Sequence, residues 1–428
     1  MAKMELIPFL SSIYLLIYSI MIIRGEHLWL KEKLKINSKK ISNSRKVVLI
    51  TGARHVGKST FVKSIKEENR KYITLDDLAL RDLAQNEPKL FLMNYSGPII
   101  VDEIQYAPNL FSYIKMDVDE NQKKGKYWLT GSQKFELMKN VTESLAGRIS
   151  VLEMSSLSYA EKKGFKSKLF NPTNIKYNFT INEEELFNDI YEGGMPEYID
   201  DNLDRNQFFN DYLLTYLERD VRNLTQVGDL NRFRKFMIAV AARCGEVLNY
   251  DSIAEDADID SKTAKSWISI LEASDIIYLL KPYFSTELKR TIKSPKIIFL
   301  DTGLCSYLCG WNSGINLMNS ATSGHFLENF VISELIKNKR NNLEDLNYDI
   351  YYYRDKDGKE IDLVIELDNV IYPFEIKKTA YPKINMISNF KILENTNLKV
   401  GNGGILCFYP EELPLDEKNK SYPLTAIF

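Results

Sequence analysis

Val47-Val48-Leu49-Ile50-Thr51-Gly52-Ala53-Arg54-His55-Val56-Gly57-Lys58-Ser59-Thr60 is the stretch whose reading decides the fold. It opens with an apolar, β-branched run that reads as a buried strand. Gly52, four residues, Gly57, Lys58 and Ser59 then fit the spacing G-x-x-x-x-G-K-[ST], and a helix-forming segment follows to about Lys66. Strand, loop and helix in that order form a phosphate cradle. Glycine lets the backbone wrap an anion where a side chain would collide. The loop amides and the helix N-terminus point their N–H groups at it. The residues expected around a nucleotide are therefore Gly52, Ala53, Arg54, His55, Val56, Gly57, Lys58, Ser59 and Thr60. Lys58 is placed to reach the β- and γ-phosphates, and the Ser59 hydroxyl to hold Mg2+. His55 reads as the filler of a variable loop position.

The second half of that site is expected at Gly97-Pro98-Ile99-Ile100-Val101-Asp102-Glu103. Four apolar or proline-flanked positions end in two acids at the C-terminal tip of a buried strand, where an α/β sheet presents ligands. Asp102 is expected in the Mg2+ shell and Glu103 as the base that positions the attacking water. Further on, Thr130-Gly131-Ser132-Gln133 offers a polar residue beside the acids. Ser132 is the choice for contact with the γ-phosphate or the lytic water, with Thr130 as the alternative and a simple helix cap as the competing reading. Arg148, in Glu143-Ser144-Leu145-Ala146-Gly147-Arg148, sits just before the next strand. It reads either as an arginine finger reaching a neighbouring subunit or as a structural salt bridge.

Around these motifs the chain alternates strand and helix. Strands are expected at Val47–Thr51, Tyr72–Leu75, Ile99–Asp102, Tyr127–Thr130 and Ile149–Leu152, the rhythm of a parallel sheet covered on both faces. Residues 155–230 read as mainly helical, with a turn at Gly193-Gly194-Met195-Pro196. Helices at Phe233–Arg243 and Ser252–Ala257, a third capped by Ser261, and strands at Ile276–Lys281 and Lys296–Leu300 follow the order of a winged helix. Lys262 and Lys265 lie on its third helix, whose core face is Trp267, Ile268, Ile270 and Leu271. A final unit from about Gly324 carries a long helix, Phe326–Asn338. Its strands are expected at Asp349–Tyr353, Ile361–Leu367, Val370–Lys377 and Gly404–Phe408.

Length and composition set the frame. The 428 residues suit two or three domains, and 44% apolar with 27% charged residues is a folded composition. Lys+Arg 56 against Asp+Glu 58 gives no chain-wide electrostatic footprint for nucleic acid. Cys305 and Cys309 have no second pair or histidine near them in sequence, so the four cysteines read as free thiols of a reducing compartment. Residues 6–23 are uncharged and mostly apolar, at the threshold length for a membrane span. They read as a mis-start preceding Met21, as an inner-membrane anchor, or as a buried helix. The expected location is cytoplasmic, with membrane anchoring as the alternative. Residues 31–46 are basic and read as a solvated connector.

Several blocks together resemble a known family. GARHVGKST, IIVDEIQYAPNLF, YWLTGSQKF, ESLAGRISVLEMSSLS and EGGMPEYI, followed by LLTYLERDV, SPKIIFLDTGL and GHFLENFVISEL, are similar to prokaryotic AAA+-type ATPases. These pair an N-terminal ATPase with a C-terminal domain of unassigned function. The resemblance runs in order from Met21 to the C-terminus. It implies an α/β protein with a P-loop AAA+ parallel sheet, then a winged-helix region, then a small α/β domain. The organisation read from the sequence is a hydrophobic extension at 1–23 outside that resemblance, a P-loop ATPase core at 24–154, a helical region at 155–230, a winged helix at 231–310 and a nuclease-like C-terminal domain at 324–428. ATP and Mg2+ are the implied ligands.

That last domain carries its own pattern. Asp362 lies in EIDLVIEL, and Glu375-Ile376-Lys377 lies on the next strand. An acid followed by Glu-x-Lys resembles the PD-(D/E)XK nuclease core, a restriction-endonuclease-like fold. Alternation along a strand puts Glu375 and Lys377 on one face, and Glu328 on the preceding helix matches that fold's helical acid. Two carboxylates would hold a metal and Lys377 would orient water. The expected function is an Mg2+-dependent ATPase whose nucleotide state controls the winged helix and the nuclease-like domain. The alternatives are an ATP-gated DNA nuclease and a protein-binding switch with negligible turnover. The expected partners are ATP, DNA or a protein, and further copies of the chain in a homo-oligomer.

Overall fold

The computed structural model describes residues 32–121, 123–132, 137, 144–166, 168–201, 203–216, 230–283, 294–342, 348–355, 357–394 and 398–428. The apolar stretch 6–23 lies outside them. Among the described residues no helix is long and apolar enough to cross a membrane.

Helix α1 (Glu32–Ser44) leads into β1 (Val47–Thr51), and α2 (Lys58–Ile65) follows the glycine loop. Strands β2 (Lys71–Thr74) and β3 (Ile99–Asp102), helix α3 (Leu110–Glu120) and strands β4 (Tyr127–Gly131) and β5 (Ile149–Glu153) complete the first unit. The sheet runs in the order β2-β3-β4-β1-β5 with every pair parallel. Each expected strand is present to within one residue at either end. β1 is buried along its whole length because neighbours flank it on both edges and helices cover both faces. Its period-2 alternation splits it between two cores. Val48 and Ile50 pack with Phe61 and Val62 of α2. Val47 and Leu49 pack with Phe111 and Ile114 of α3 on the other face.

Next come α4 (Glu183–Glu192), α5 (Pro196–Asp200) and α6 (Arg205–Tyr216). The expectation of a mainly helical 155–230 is corrected in part. The described residues between Lys163 and Asn182 form neither helix nor strand. That segment is broken by glycine, proline and asparagine, and its aromatics anchor it instead, with Phe170 on Phe374 at 5.4 Å. Part of the expected region, residues 217–229, lies outside the described residues.

Helices α7 (Leu230–Ala241), α8 (Tyr250–Ala257) and α9 (Ser261–Ala273) are followed by an antiparallel pair, β6 (Ile277–Leu280) and β7 (Lys296–Phe299). Trp267, Ile268, Ile270 and Leu271 form the buried face of α9. Trp267 meets Phe233 and Phe236 at 4.9 and 5.3 Å. The cap of α9 is Asp260 rather than Ser261. Asp260 has extended φ/ψ and accepts from Thr263 N at 2.9 Å, which is N-cap geometry one residue earlier than expected.

Helix α10 (Thr302–Leu308) and the long α11 (Ser323–Asn341) precede a mixed sheet. Its strands are β8 (Tyr348–Arg354), β9 (Glu360–Leu367), β10 (Val370–Ile376), β11 (Lys399–Val400), β12 (Gly404–Cys407), β13 (Leu413–Pro414) and β14 (Lys420–Pro423). The order is β13-β14-β12-β10-β9-β8, with β11 beside β10. The short β11, β13 and β14 were not expected from sequence.

Two features hold the units together. The first is α11, which buries polar residues as well as apolar ones. Asn329 accepts from Phe299 N at 2.7 Å and donates to Phe299 O at 3.0 Å. Glu334 accepts from Tyr159 N at 2.7 Å, and Asn338 donates to Ile427 O at 2.9 Å. The second is a seam where two backbones touch. A Cβ on Gly193 would sit 2.6 Å from Gly303 N, and one on Gly303 would sit 2.3 Å from Glu192 O. Asp301 closes this seam by accepting from Gly194 N and Leu304 N, both at 2.9 Å.

Candidate nucleotide site and a second acid cluster

The loop between β1 and α2 packs against Met154, just past β5, and is spanned by the Lys58 side chain. Gly52 has φ +147°, and a Cβ there would lie 2.0 Å from Met154 O, so only glycine fits. Lys58 is buried and turns back along the loop, donating to Gly52 O at 3.0 Å and Ala53 O at 2.6 Å. Ser59, at the start of α2, faces β3. Its hydroxyl lies 3.1 and 2.9 Å from the two carboxylate oxygens of Asp102. Loop and strand tip, read separately from sequence, are thus brought together.

Asp102 is buried at the end of β3. It also accepts from the Tyr72 and Thr130 hydroxyls. Burial and the hydrogen bond to Asp102 push the Tyr72 phenol well above its usual range. Tyr72 was not anticipated, because nothing in its local sequence marks it. Glu103 adopts a left-handed backbone at φ 57°, a conformation disfavoured for a glutamate. Its amide lies 3.4 Å from Thr130 Oγ1, and Gln105 donates to its side chain. Thr130 therefore links the Asp102 carboxylate to the Glu103 backbone amide. Ser132 is also buried, and its hydroxyl has no hydrogen-bond partner among the described residues. A buried orphan hydroxyl beside a strand tip is a group that a ligand or a water would satisfy.

His55 does more than fill the loop. Its Nδ1 lies 2.5 Å from Glu197 Oε2 on α5, and its ring stands edge-on to Tyr212 at 5.6 Å. These residues and Phe208 line a cavity of 220 Å³. Pro196 also approaches Gly57, where a Cβ would meet Pro196 Cγ at 3.8 Å. The turn at 193–196 thus abuts the glycine loop.

Arg148 lies elsewhere. Its carbonyl accepts from Val47 N, and Ile149 pairs with Val47, so Arg148 marks the N-terminal edge of the sheet. The glycine loop leaves the opposite edge, a strand length of roughly 17 Å away. Arg148 binds Asp119 through two guanidinium nitrogens at 2.6 and 3.0 Å. It shares a cleft of 380 Å³ with Arg45, Lys46 and Lys124.

In the C-terminal sheet, Asp362, Glu375 and Lys377 do meet. Lys377 Nζ lies 2.8 Å from Asp362 and 2.6 Å from Glu375. Burial and the charge of Asp362 push Glu375 up to about 9, against the pull of Lys377. Burial acts the same way on Asp362, but Lys377 and Lys296 outweigh it and hold that carboxyl below its usual range. Glu328 is next to this group through a residue the sequence did not flag. Lys296 of β7 lies 2.5 Å from Glu328 and also pairs with Glu360. Burial raises Glu328 to about 7 in spite of that partner.

Comparison with known proteins fits this division. Residues 44–162 match the family described as "AAA domain". Residues 183–314 match a "Domain of unknown function (DUF8612)" and residues 323–427 a "Domain of unknown function (DUF4143)". The uncharacterized protein Rv2008c of Mycobacterium tuberculosis is 27% identical over 340 residues, covering 79% of this chain and 72% of that one. The uncharacterized protein MJ1637 of Methanocaldococcus jannaschii is 26% identical, covering 71% of this chain and 70% of that one. Among solved structures, a RuvB variant of Thermotoga maritima aligns over 58% of this chain and 88% of its own at 14% identity. Its TM-score of 0.30 is too low to bear on the fold. The parallel sheet, the glycine loop with its acid pair, and the match of residues 44–162 agree on a P-loop α/β core similar to the AAA domain.

Proposed function

We propose that the chain is an Mg2+-dependent ATPase whose nucleotide state governs a winged helix, α7–β7, and a nuclease-like domain at 324–428. The observation that carries this is the meeting of Ser59 and Asp102, 43 residues apart, at the exit of the phosphate loop. A hydroxyl beside a carboxylate is a donor pair suited to a hard divalent cation. Mg2+ held there would screen the charge of the phosphates. The chain's own groups do the remaining work. The loop amides from Gly52 to Ser59 cradle the phosphates, and Lys58 neutralises them. Glu103, fixed by Gln105, takes the proton of the attacking water. Ser132 supplies its unengaged hydroxyl to the γ-phosphate or that water. On this reading Arg148, held by Asp119 of its own chain at the far end of the sheet, would leave that pair to serve a neighbouring subunit of a homo-oligomer; if it stays with Asp119 it is a structural salt bridge.

Two variants test the reading. Lys58→Ala should lose nucleotide binding by calorimetry, and Glu103→Gln should bind ATP without turning it over. Undiminished hydrolysis in both would overturn it.

A second reading, an ATP-gated nuclease, is favoured by the convergence of Asp362, Glu375 and Lys377. Its winged helix exposes Lys262 and Lys265 on α9, a thin phosphate-binding surface. ATPase rate with and without single- and double-stranded DNA separates the possibilities. Stimulation, together with Mg2+-dependent cutting lost in Asp362→Ala, supports the nuclease. Slow hydrolysis indifferent to DNA favours a switch acting on a protein partner.

A further inference from the structure

Lys296 is 2% exposed on the short strand β7. A buried ammonium is costly unless it is paired. Its partners come from another part of the chain: Glu328 of α11 at 2.5 Å and Glu360 at the start of β9. Asp362 lies two residues along the same face of β9 as Glu360. Beyond Asp362, Lys377 reaches it at 2.8 Å and Glu375 at 2.6 Å. Four carboxylates from α11, β9 and β10 thus surround two ammonium groups. Glu375 is 2% exposed, yet its Oε1 has no hydrogen-bond partner among the described residues. Among the described residues no three acids stand in metal-liganding geometry, and two lysines lie between them.

We infer that Lys296 is a built-in cation that takes the place of a divalent ion beside Glu328 and Glu360, so that this part of the acid cluster takes up no metal while β7 is packed against α11 and β9. The inference rests on the nuclease-like reading of that domain and adds its control. β7 runs directly into Asp301, which holds Gly194 N. Gly194 belongs to the turn that abuts the glycine loop. The buried Glu375 Oε1, without a hydrogen-bond partner among the described residues, is a group that a bound ion or water would satisfy.

The test uses the full chain without nucleotide and Mn2+ as the probe, titrated by calorimetry. Two variants are compared with the native chain: Lys296→Met, and Lys296→Met with Glu328→Gln, which removes both members of the buried pair and so guards the fold. Circular dichroism and gel filtration establish folding. The expected result is one further equivalent of Mn2+ in both variants, absent from the native chain and lost again when Asp362→Asn is added. Folded variants that gain no Mn2+ would show Lys296 to be a structural pair and overturn the inference. So would a native chain that binds Mn2+ at this cluster as tightly as the variants. Mn2+ gained without cleavage of any DNA or RNA leaves the inference standing and removes the nuclease reading. Mn2+-dependent cleavage by the native chain does the reverse.

Discussion

Thr130 and Ser132 divide the work at the tip of β4 in a way that can be measured. Thr130 donates to Asp102 and stands against the Glu103 amide, whereas the Ser132 hydroxyl is buried without a partner among the described residues. A hydrogen bond to a charged group contributes about 1.5–3 kcal/mol. Thr130→Val should therefore slow turnover by roughly 10- to 100-fold while nucleotide affinity by calorimetry changes little. Thr130→Ser should restore most of the rate. Asp102 and Glu103 were legible in the sequence because four apolar residues ending in two acids define a strand tip. The choice between Thr130 and Ser132 was not. It depends on the β3–β4 register, in which Val101 pairs with Leu129 and so sets Thr130 opposite Asp102. Register is a tertiary property and leaves no local trace. The same holds for Tyr72, which reaches Asp102 from the neighbouring strand.

At the scale of elements, α11 is the informative case. Its sequence lacks a clean apolar stripe because its buried polar residues serve the backbones of other units. Asn329 satisfies both the N–H and the C=O of Phe299. Asn329→Ala would leave both unpaired, at about 1–3 kcal/mol each, read as a lower urea midpoint at constant slope. Glu334 gives a pH signature. Burial pushes its carboxyl above its usual value of 4.5, against the opposing charge of Lys337. The folded chain then keeps a proton that the unfolded chain gives up. Stability should fall as pH rises from 4.5 through the higher folded value. Glu334→Gln should flatten that fall in chemical denaturation across pH. The helices and main strands of the later units were legible from periodicity. Lys296 was not, since nothing around SPKIIF distinguishes a buried lysine from one at a strand's solvated start.

For the molecule as a whole, an apolar core is shared between the units. One apolar cluster runs from Leu34 through β1, α4, α7 and α11 to Phe428. Phe428 stacks on Tyr159 at 4.2 Å. Deleting residues 424–428 should therefore weaken nucleotide binding as well as the C-terminal sheet. Calorimetry of the intact chain should show one unfolding transition, and the shortened chain a lower one. Two well-separated transitions would contradict a shared core.

The seam of Gly193 and Gly303 then bears on how this sequence can vary. Each admits no side chain, because the atom that would be struck is another backbone and cannot rotate away. A saturation library selected for soluble protein should leave both positions almost without substitutions, although neither touches phosphate. Survivors should arise as pairs with compensating changes nearby. What looks like a signature of catalysis in EGGMPEYI would be, at its first glycine, a record of clearance.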